Sequence, residues 1–372
     1  MKKSINLNDI IVLFVVSVYF LSFSFSSFFL KFSPVASIFS TSLCLILFLL
    51  NFKRIINSRK KFLFVVLFNI IFLLFGLTYN NTGMGSLLQM FTSIIILLII
   101  TEITISDKLM KIIKFLIPIF FVLFLISDKN YLNPNFVGYL YLLFYLYFLN
   151  IFDVNFKDHF LIWLTITIFT VYLLFATECR TSLLGILVYN IFTIIPIKKI
   201  DNKIIKRTIP IVLIFGNLLF SYVYIQLWKN HFYIDLSFFT KKRLFSGRNY
   251  IWYESFELIK NYPWFGIGSK YRLRSIPAYA LHNSMHMIMT TFGIPNIVFY
   301  YLLFNDFISS IYLKKNYKKN FIHSLAVIVA LYVIDFFEGY LFWTEYNMLF
   351  LCLIIMILNK KDWRVKNESL SS

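Results

Sequence analysis

Long runs of Leu, Ile, Phe and Val, broken by short polar stretches, occupy most of the chain. A helix rises 1.5 Å per residue, so about 17 to 25 consecutive apolar residues cross the hydrocarbon of a bilayer. About twelve runs approach or reach that length, at residues 10–30, 34–51, 62–79, 86–105, 112–127, 136–152, 160–176, 181–197, 208–228, 293–313, 321–337 and 340–358. The pattern predicts an all-α polytopic membrane protein with about twelve transmembrane helices, forming a single membrane domain over 1–372. A membrane barrel would instead alternate apolar and polar residues in ten-residue segments, unlike "FVVLFNIIFLLFGL". The first run is longer than a signal-peptide core and leads directly into a second, so it reads as a retained anchor.

Composition agrees. The 372 residues are 59% hydrophobic, 20% aromatic and 14% charged, too little charge for a water-facing surface. In a soluble protein the net charge of +19 would suggest nucleic acid. Here the basic residues gather in alternate loops: Lys2 and Lys3, Lys53 to Lys61, Lys108 to Lys114, Lys157, Lys198 to Arg207, Lys314 to Lys319, and the C-terminal tail. That is the positive-inside pattern; it places both termini in the cytoplasm and leaves nucleic acid out as a partner. Cys44, Cys179 and Cys352 are scattered, with neither metal-ligand nor disulfide-framework spacing.

One loop on the opposite side breaks the pattern. Residues 229–281, about fifty in number, far exceed an ordinary connection. They carry Lys229, Lys241, Lys242, Arg243, Arg248, Lys260, Lys270, Arg272 and Arg274 where topology calls for few cations. The charge serves either an anionic ligand, the reading adopted, or anionic headgroups beside a solvated loop. Within it, "SGRNYIWYESFELIKNYP" predicts an amphipathic interfacial helix, with Ser246 as a cap and Trp252, Phe256 and Ile259 on one face. Arg248 falls in the first turn, where free N–H groups and the helix dipole favour an anion such as phosphate. Gly266 and Gly268 then offer either a close backbone approach to a ligand or a plain turn after Pro263.

Further polar residues stand near span ends. Glu178 and Arg180, in "ATECRTSLLG", are costly at membrane depth and so functional candidates; Arg180 is alternatively paired with Glu178 or reaches headgroups. Asn133, Pro134 and Asn135 read as a turn and helix start. Asp335, Glu338 and Glu345 either neutralise the basic loop or bind sugar hydroxyls. In "LHNSMHMIMTTFGIP", His282 and His286 are four residues apart, the spacing of a two-His metal pair, but no Glu lies between them and no third ligand is nearby. An imidazole at an interface suits proton abstraction from a hydroxyl better. No metal or cofactor is assigned.

This ordered set resembles the O-antigen ligase and polymerase superfamily, and within it the Wzy-type polymerases of bacterial O-antigen and capsule synthesis. The resemblance rests on "SGRNYIWYESFELIKNYPWFGIG", then "HNSMHMIMTTFGI", with support from the Arg of "ECRTSLLG". It covers about 50 residues, the rest agreeing in hydropathy alone. The family often has Ser before that Arg; here it is Cys179. The resemblance implies a metal-independent inverting glycosyltransferase of the membrane-embedded C type, in the bacterial cytoplasmic membrane. Its substrate would be an oligosaccharide on undecaprenyl diphosphate at the outer leaflet, with a flippase and chain-length regulators as possible partners. His282, Arg248 and Arg180 would be catalytic. Arg243, Trp252, Gly266, Gly268, Arg272, Arg274 and Asn283 would bind substrate, Trp252 by stacking on sugar and Asn283 by orienting His282. Two rivals stand beside the polymerase: a ligase moving a finished glycan to another acceptor, and a lipid-linked oligosaccharide flippase.

Overall fold

The structure, a computed structural model, describes residues 5–24, 33–80, 82–127, 129, 132–194, 202–231, 247–271, 273, 281–313 and 318–360. In chain order the helices are α1 (Leu7–Ser24), α2 (Ser33–Asn80), α3 (Met84–Ile99), α4 (Asp107–Ile126), α5 (Pro134–Ile151), α6 (Phe160–Ala176), α7 (Arg180–Ile194), α8 (Asn202–Lys229), α9 (Arg248–Asn261), α10 (Ser284–Phe292), α11 (Ile294–Leu313), α12 (Lys318–Ile334) and α13 (Thr344–Leu358), with a 3₁₀ turn at Tyr340–Phe342. No strand occurs among the described residues.

Every apolar run read from the sequence falls on an apolar helix. Six of these are long and apolar enough to cross a membrane: Leu7–Ser24, Ser37–Lys60, Asp107–Ile126, Pro134–Ile151, Lys206–Lys229 and Ile294–Tyr312. Six more are apolar but 10–17 residues long: Phe62–Gly76, Met84–Ile99, Phe160–Ala176, Arg180–Ile194, Phe321–Ile334 and Tyr346–Leu358. Leu161, Tyr172, Phe175, Leu219, Phe64 and Phe115 are all exposed, so apolar side chains also coat the outside of the bundle. An outward coat of large hydrophobic groups is unfavourable in water and favourable in lipid. The protein is a multi-pass membrane protein.

Local chemistry sets several boundaries. Ser106 caps α4 by accepting from Leu109 N at 3.2 Å. Asn133 caps α5 by accepting from Asn135 N at 2.9 Å, with Pro134 in the first turn, where its missing N–H costs nothing. Gly293, at φ 87, ends α10 and lets α11 start at the next residue.

Contacts between distant residues define the two ends of the bundle. At one end Asp9 accepts from Ser106 N at 2.7 Å, Arg54 donates to Thr104 at 3.1 Å, Asn359 accepts from Ile105 N at 3.3 Å and Lys360 pairs with Asp153 at 2.7 Å. The helix α2 turns sharply there, at Arg59, the one residue inside it with non-helical angles (φ −132, ψ 24). The Arg59 side chain, buried at the turn, pairs with Asp306 of α11 at 2.5 Å and donates to Thr101 at 2.5 Å and to the Leu97 carbonyl at 3.3 Å. From the turn α2 runs back to the other end, where Gly83 N donates to Ser269 at 2.7 Å. That second end carries α9, α10 and the polar residues treated next.

Candidate active site

The α6–α7 junction, the first turns of α5 and α9, His282 just before α10 and the segment after α12 border an open cavity of about 250 Å³ lined by Asn135, Glu178, Arg180, Thr181, Arg248, Ile251, His282 and Glu338. All three residues expected to be catalytic, Arg180, Arg248 and His282, line this one space.

Each is delivered by a helix terminus. Arg180 is the first residue of α7. The turn ahead of it is tight: Cys179 N donates to Leu174 O at 3.2 Å and Glu178 takes φ 51. Cys179 is buried, its Sγ 3.2 Å from Ser182 Oγ. A side chain at Gly138 of α5 would overlap it, so the glycine lets the turn sit against α5. A small residue is needed before Arg180, and a thiol satisfies that need.

Arg248 is the first residue of α9. Its cap is Gly247 in a left-handed conformation (φ 86) with no side-chain capping bond; Ser246, the expected cap, lies outside the described residues. The apolar face of α9 is Ile251, Trp252, Ser255 and Ile259, all buried. This face docks on α8 and α10 rather than in a lipid interface. Tyr224 and Phe220 meet the Trp252 ring edge-on, and its Nε1 donates to Leu281 O at 2.9 Å. Trp252 is 0% exposed. It has no free face for a sugar, which corrects the stacking expectation; the tryptophan anchors α9 so that Arg248 faces the cavity.

His282 also has a left-handed backbone (φ 51). Two non-glycine residues in that sparsely populated region, Glu178 and His282, border one cavity, an arrangement that persists only where the surroundings hold it. The imidazole is 33% exposed, and its Nδ1 lies 3.0 Å from Glu338 Oε2. The other carboxylate oxygen of Glu338 accepts from Arg248 Nη2 and, at 2.9 Å, from Asn135 Nδ2. With a side chain only 4% exposed, Glu338 is thus a buried anion held by a guanidinium, an amide and an imidazole.

His286 takes no part in the cavity. It is fully buried, with Nε2 2.7 Å from Ser221 Oγ and Nδ1 2.9 Å from Ser255 Oγ, while Ser255 reaches Thr290 at 2.9 Å. Burial pushes its pKa down to about 3, so it is a neutral link between α8, α9 and α10. His282 and His286 therefore do not form a pair facing one ligand. Among the described residues no group of three or more His, Cys, Asp or Glu is placed to hold a metal ion.

Asn283 is likewise buried. Its Oδ1 caps α10 by accepting from His286 N at 3.1 Å, and its Nδ2 donates to Asn217 Oδ1 and, at 3.3 Å, to Phe336 O. It fixes the backbone next to His282. Gly266 and Gly268 do not line the cavity either. Ile267 N donates to Thr290 O at 2.7 Å and Gly268 N to Thr291 O at 3.1 Å, so the Gly-Ile-Gly turn latches the end of α9 to the end of α10. These N–H groups are spent on protein carbonyls, which corrects the phosphate-approach reading. Arg243, Arg272 and Arg274 lie outside the described residues.

Sequence reasoning read Asn135 only as part of a turn and helix start, did not single out Thr181, and left Glu338 between neutralising the basic loop and binding sugar hydroxyls; its ion pair with Arg248 of that loop is the first of these. The cue was a carboxylate at the outer end of a span; its partners are 56 and 90 residues away in sequence. The α12 helix ends at Ile334, and Glu338 N still reaches back to Ile334 O at 3.1 Å, which holds the carboxylate beneath the cavity.

Residues 165–301 match the model of a known family, Wzy_C, described as O-antigen ligase. Over these residues the chain is similar to the O-antigen ligase family. The matched region, somewhat over a third of the chain, contains Arg180, Arg248 and His282 but neither Asn135 nor Glu338. No curated protein gives a significant match to the chain.

Proposed function

We propose that this protein belongs to the O-antigen ligase and polymerase superfamily, to which residues 165–301 are similar, and is a polysaccharide polymerase. It joins oligosaccharide repeat units carried on a polyprenyl diphosphate, undecaprenyl diphosphate in bacteria, at the outer leaflet of the cytoplasmic membrane. It acts as a metal-independent inverting glycosyltransferase of the C type, with about twelve spans and cytoplasmic termini. A flippase delivering repeat units and a chain-length regulator are its partners. The observation that carries the reading is the convergence of two helix-terminal arginines and one partly exposed histidine on a single cavity.

The chemistry follows from those groups. The departing diphosphate gathers negative charge, which Arg180 and Arg248 stabilise, aided by the N-termini of α7 and α9 at which they stand. With Nδ1–H donated to Glu338, the Nε2 lone pair of His282 is the acceptor available to the attacking hydroxyl. The hydroxyl oxygen forms a bond to the anomeric carbon as the bond from that carbon to the phosphate oxygen breaks. The hydroxyl proton passes to Nε2, and the polyprenyl diphosphate leaves with the electron pair. Attack opposite the leaving group inverts the anomeric centre.

The description of the matching family favours a second reading, a ligase that delivers a finished glycan to another acceptor through the same site. Incubating the purified full chain with a synthetic lipid-linked repeat unit separates the two. A ladder of lengthened products, insensitive to chelator and lost in Arg248→Ala and His282→Ala, supports the polymerase. Transfer only to an added second acceptor supports the ligase. Turnover that persists in both variants refutes the site.

A further inference from the structure

Glu338 divides its carboxylate between the two working parts of the cavity. One oxygen accepts from Arg248, the other faces His282 Nδ1 at 3.0 Å. The first of these partners is the cation assigned to the diphosphate, so a bound donor and Glu338 compete for one guanidinium. We propose that Glu338 is a positioning residue that couples donor binding to the base: donor diphosphate draws Arg248 away from Glu338, which leaves the carboxylate to hold His282 for the acceptor hydroxyl.

The inference rests on the transferase reading of the site. Its physical basis is local. A carboxylate 4% exposed is held by charge-assisted hydrogen bonds, and a second anion at the same guanidinium divides its charge between the two and weakens the hold of Arg248 on Glu338. Asn135, which donates to the same oxygen as Arg248 at 2.9 Å, remains as that oxygen's donor after the guanidinium turns. The arrangement also predicts an order. Before the donor arrives Glu338 is bound from both sides; after it arrives the carboxylate is committed to His282, so the acceptor is activated second. No bond is made or broken in this step; it is an exchange of hydrogen-bond partners.

The consequence separates this role from a scaffold. Replacing Glu338 by Gln removes the anion that competes for Arg248 while keeping the size of the side chain. Binding of inorganic diphosphate, measured by calorimetry on the purified full chain, should tighten by about tenfold. Turnover of the lipid-linked repeat unit should fall by about a hundredfold or more in kcat, with KM for the donor unchanged or lower, because the imidazole loses its orienting anion. Glu338→Asp, which keeps the charge on a shorter stem, should lower kcat without tightening diphosphate, and it also serves if Glu338→Gln does not fold. Arg248→Ala should weaken diphosphate. Weaker diphosphate binding together with lower kcat in Glu338→Gln, or a kcat within about threefold of the unsubstituted chain, would overturn the proposal. The calorimetric arm needs no turnover, so a wild-type chain that makes no product refutes the transferase reading while still deciding whether Glu338 and diphosphate compete.

Discussion

Gly266→Ala tests whether the Gly-Ile-Gly turn is a latch or a phosphate loop. The backbone at Gly266 has φ +69, where an L side chain costs about 1–2 kcal/mol. The new Cβ would lie 2.5 Å from the carbonyl carbon of Thr291 and 2.6 Å from the oxygens of Thr290 and Thr291. These are backbone atoms and cannot swing aside, so the turn must lift. Two hydrogen bonds, Ile267 N to Thr290 O and Gly268 N to Thr291 O, go with it at about 0.5–1.5 kcal/mol each. The sum is a loss of about 2–5 kcal/mol, and thermal unfolding of the detergent-solubilised protein should show a melting temperature lower by at least several degrees. Diphosphate affinity of the fraction still folded should change little. A variant that melts like the unsubstituted chain yet binds diphosphate about tenfold more weakly would refute the latch and restore the turn to the ligand.

Three further outcomes follow from the same contacts. Because His286 is held neutral, with a pKa of about 3 against 6.5 when free, its contribution is fully present above pH 6.5 and is lost as the pH falls from there toward 3. At about 1.4 kcal/mol per pH unit, denaturant titrations at pH 6.5 and pH 5 should differ by about 2 kcal/mol, a difference that His286→Gln should remove. Arg59→Ala removes the closest charge partner of the partly buried Asp306, and chemical denaturation should show a loss of about 1–3 kcal/mol, whereas loss of activity at unchanged stability would point to a direct role. For His282→Ala, single-turnover rates should fall by about 10²- to 10⁴-fold with diphosphate binding retained, while Arg180→Ala should weaken diphosphate as well; a histidine variant that binds diphosphate poorly would contradict the division of labour.

Much of this was legible in the sequence, for reasons that are physical. Apolar runs have one stable backbone answer in a bilayer, so among the described residues each predicted run overlaps an apolar helix, six of them of spanning length. Arg180, Arg248 and His282 stood out because charged and titratable groups beside spans are costly, and all three face one cavity. What misled was chemistry common to function and packing. Trp252 had the right ring for a sugar, yet in a chain rich in aromatic residues its place on the inner stripe of α9 buried it. Gly266 and Gly268 had the freedom for a phosphate turn, and the ends of α9 and α10 used it. Asn283 stood out because it is polar among Met, Ile and Thr, and its buried amide caps α10 and ties the backbone beside His282 to Asn217 and Phe336. For Glu338 the neutralising of the basic loop was readable from its charge and place, but the choice of Arg248, His282 and Asn135 was not, because these partners come from three distant segments.

The placement of Glu338 also sets how this machinery can be exchanged. The family match ends at residue 301, before α12 begins, while the carboxylate that ties Arg248 to His282 comes from beyond α12. A chimera that imported residues 165–301 from a relative would replace Arg180, Arg248 and His282 while leaving Glu338 in place beneath them. Transplanted specificity would then require the α12–α13 connection to travel with the segment, and an evolving lineage would have to change the two together.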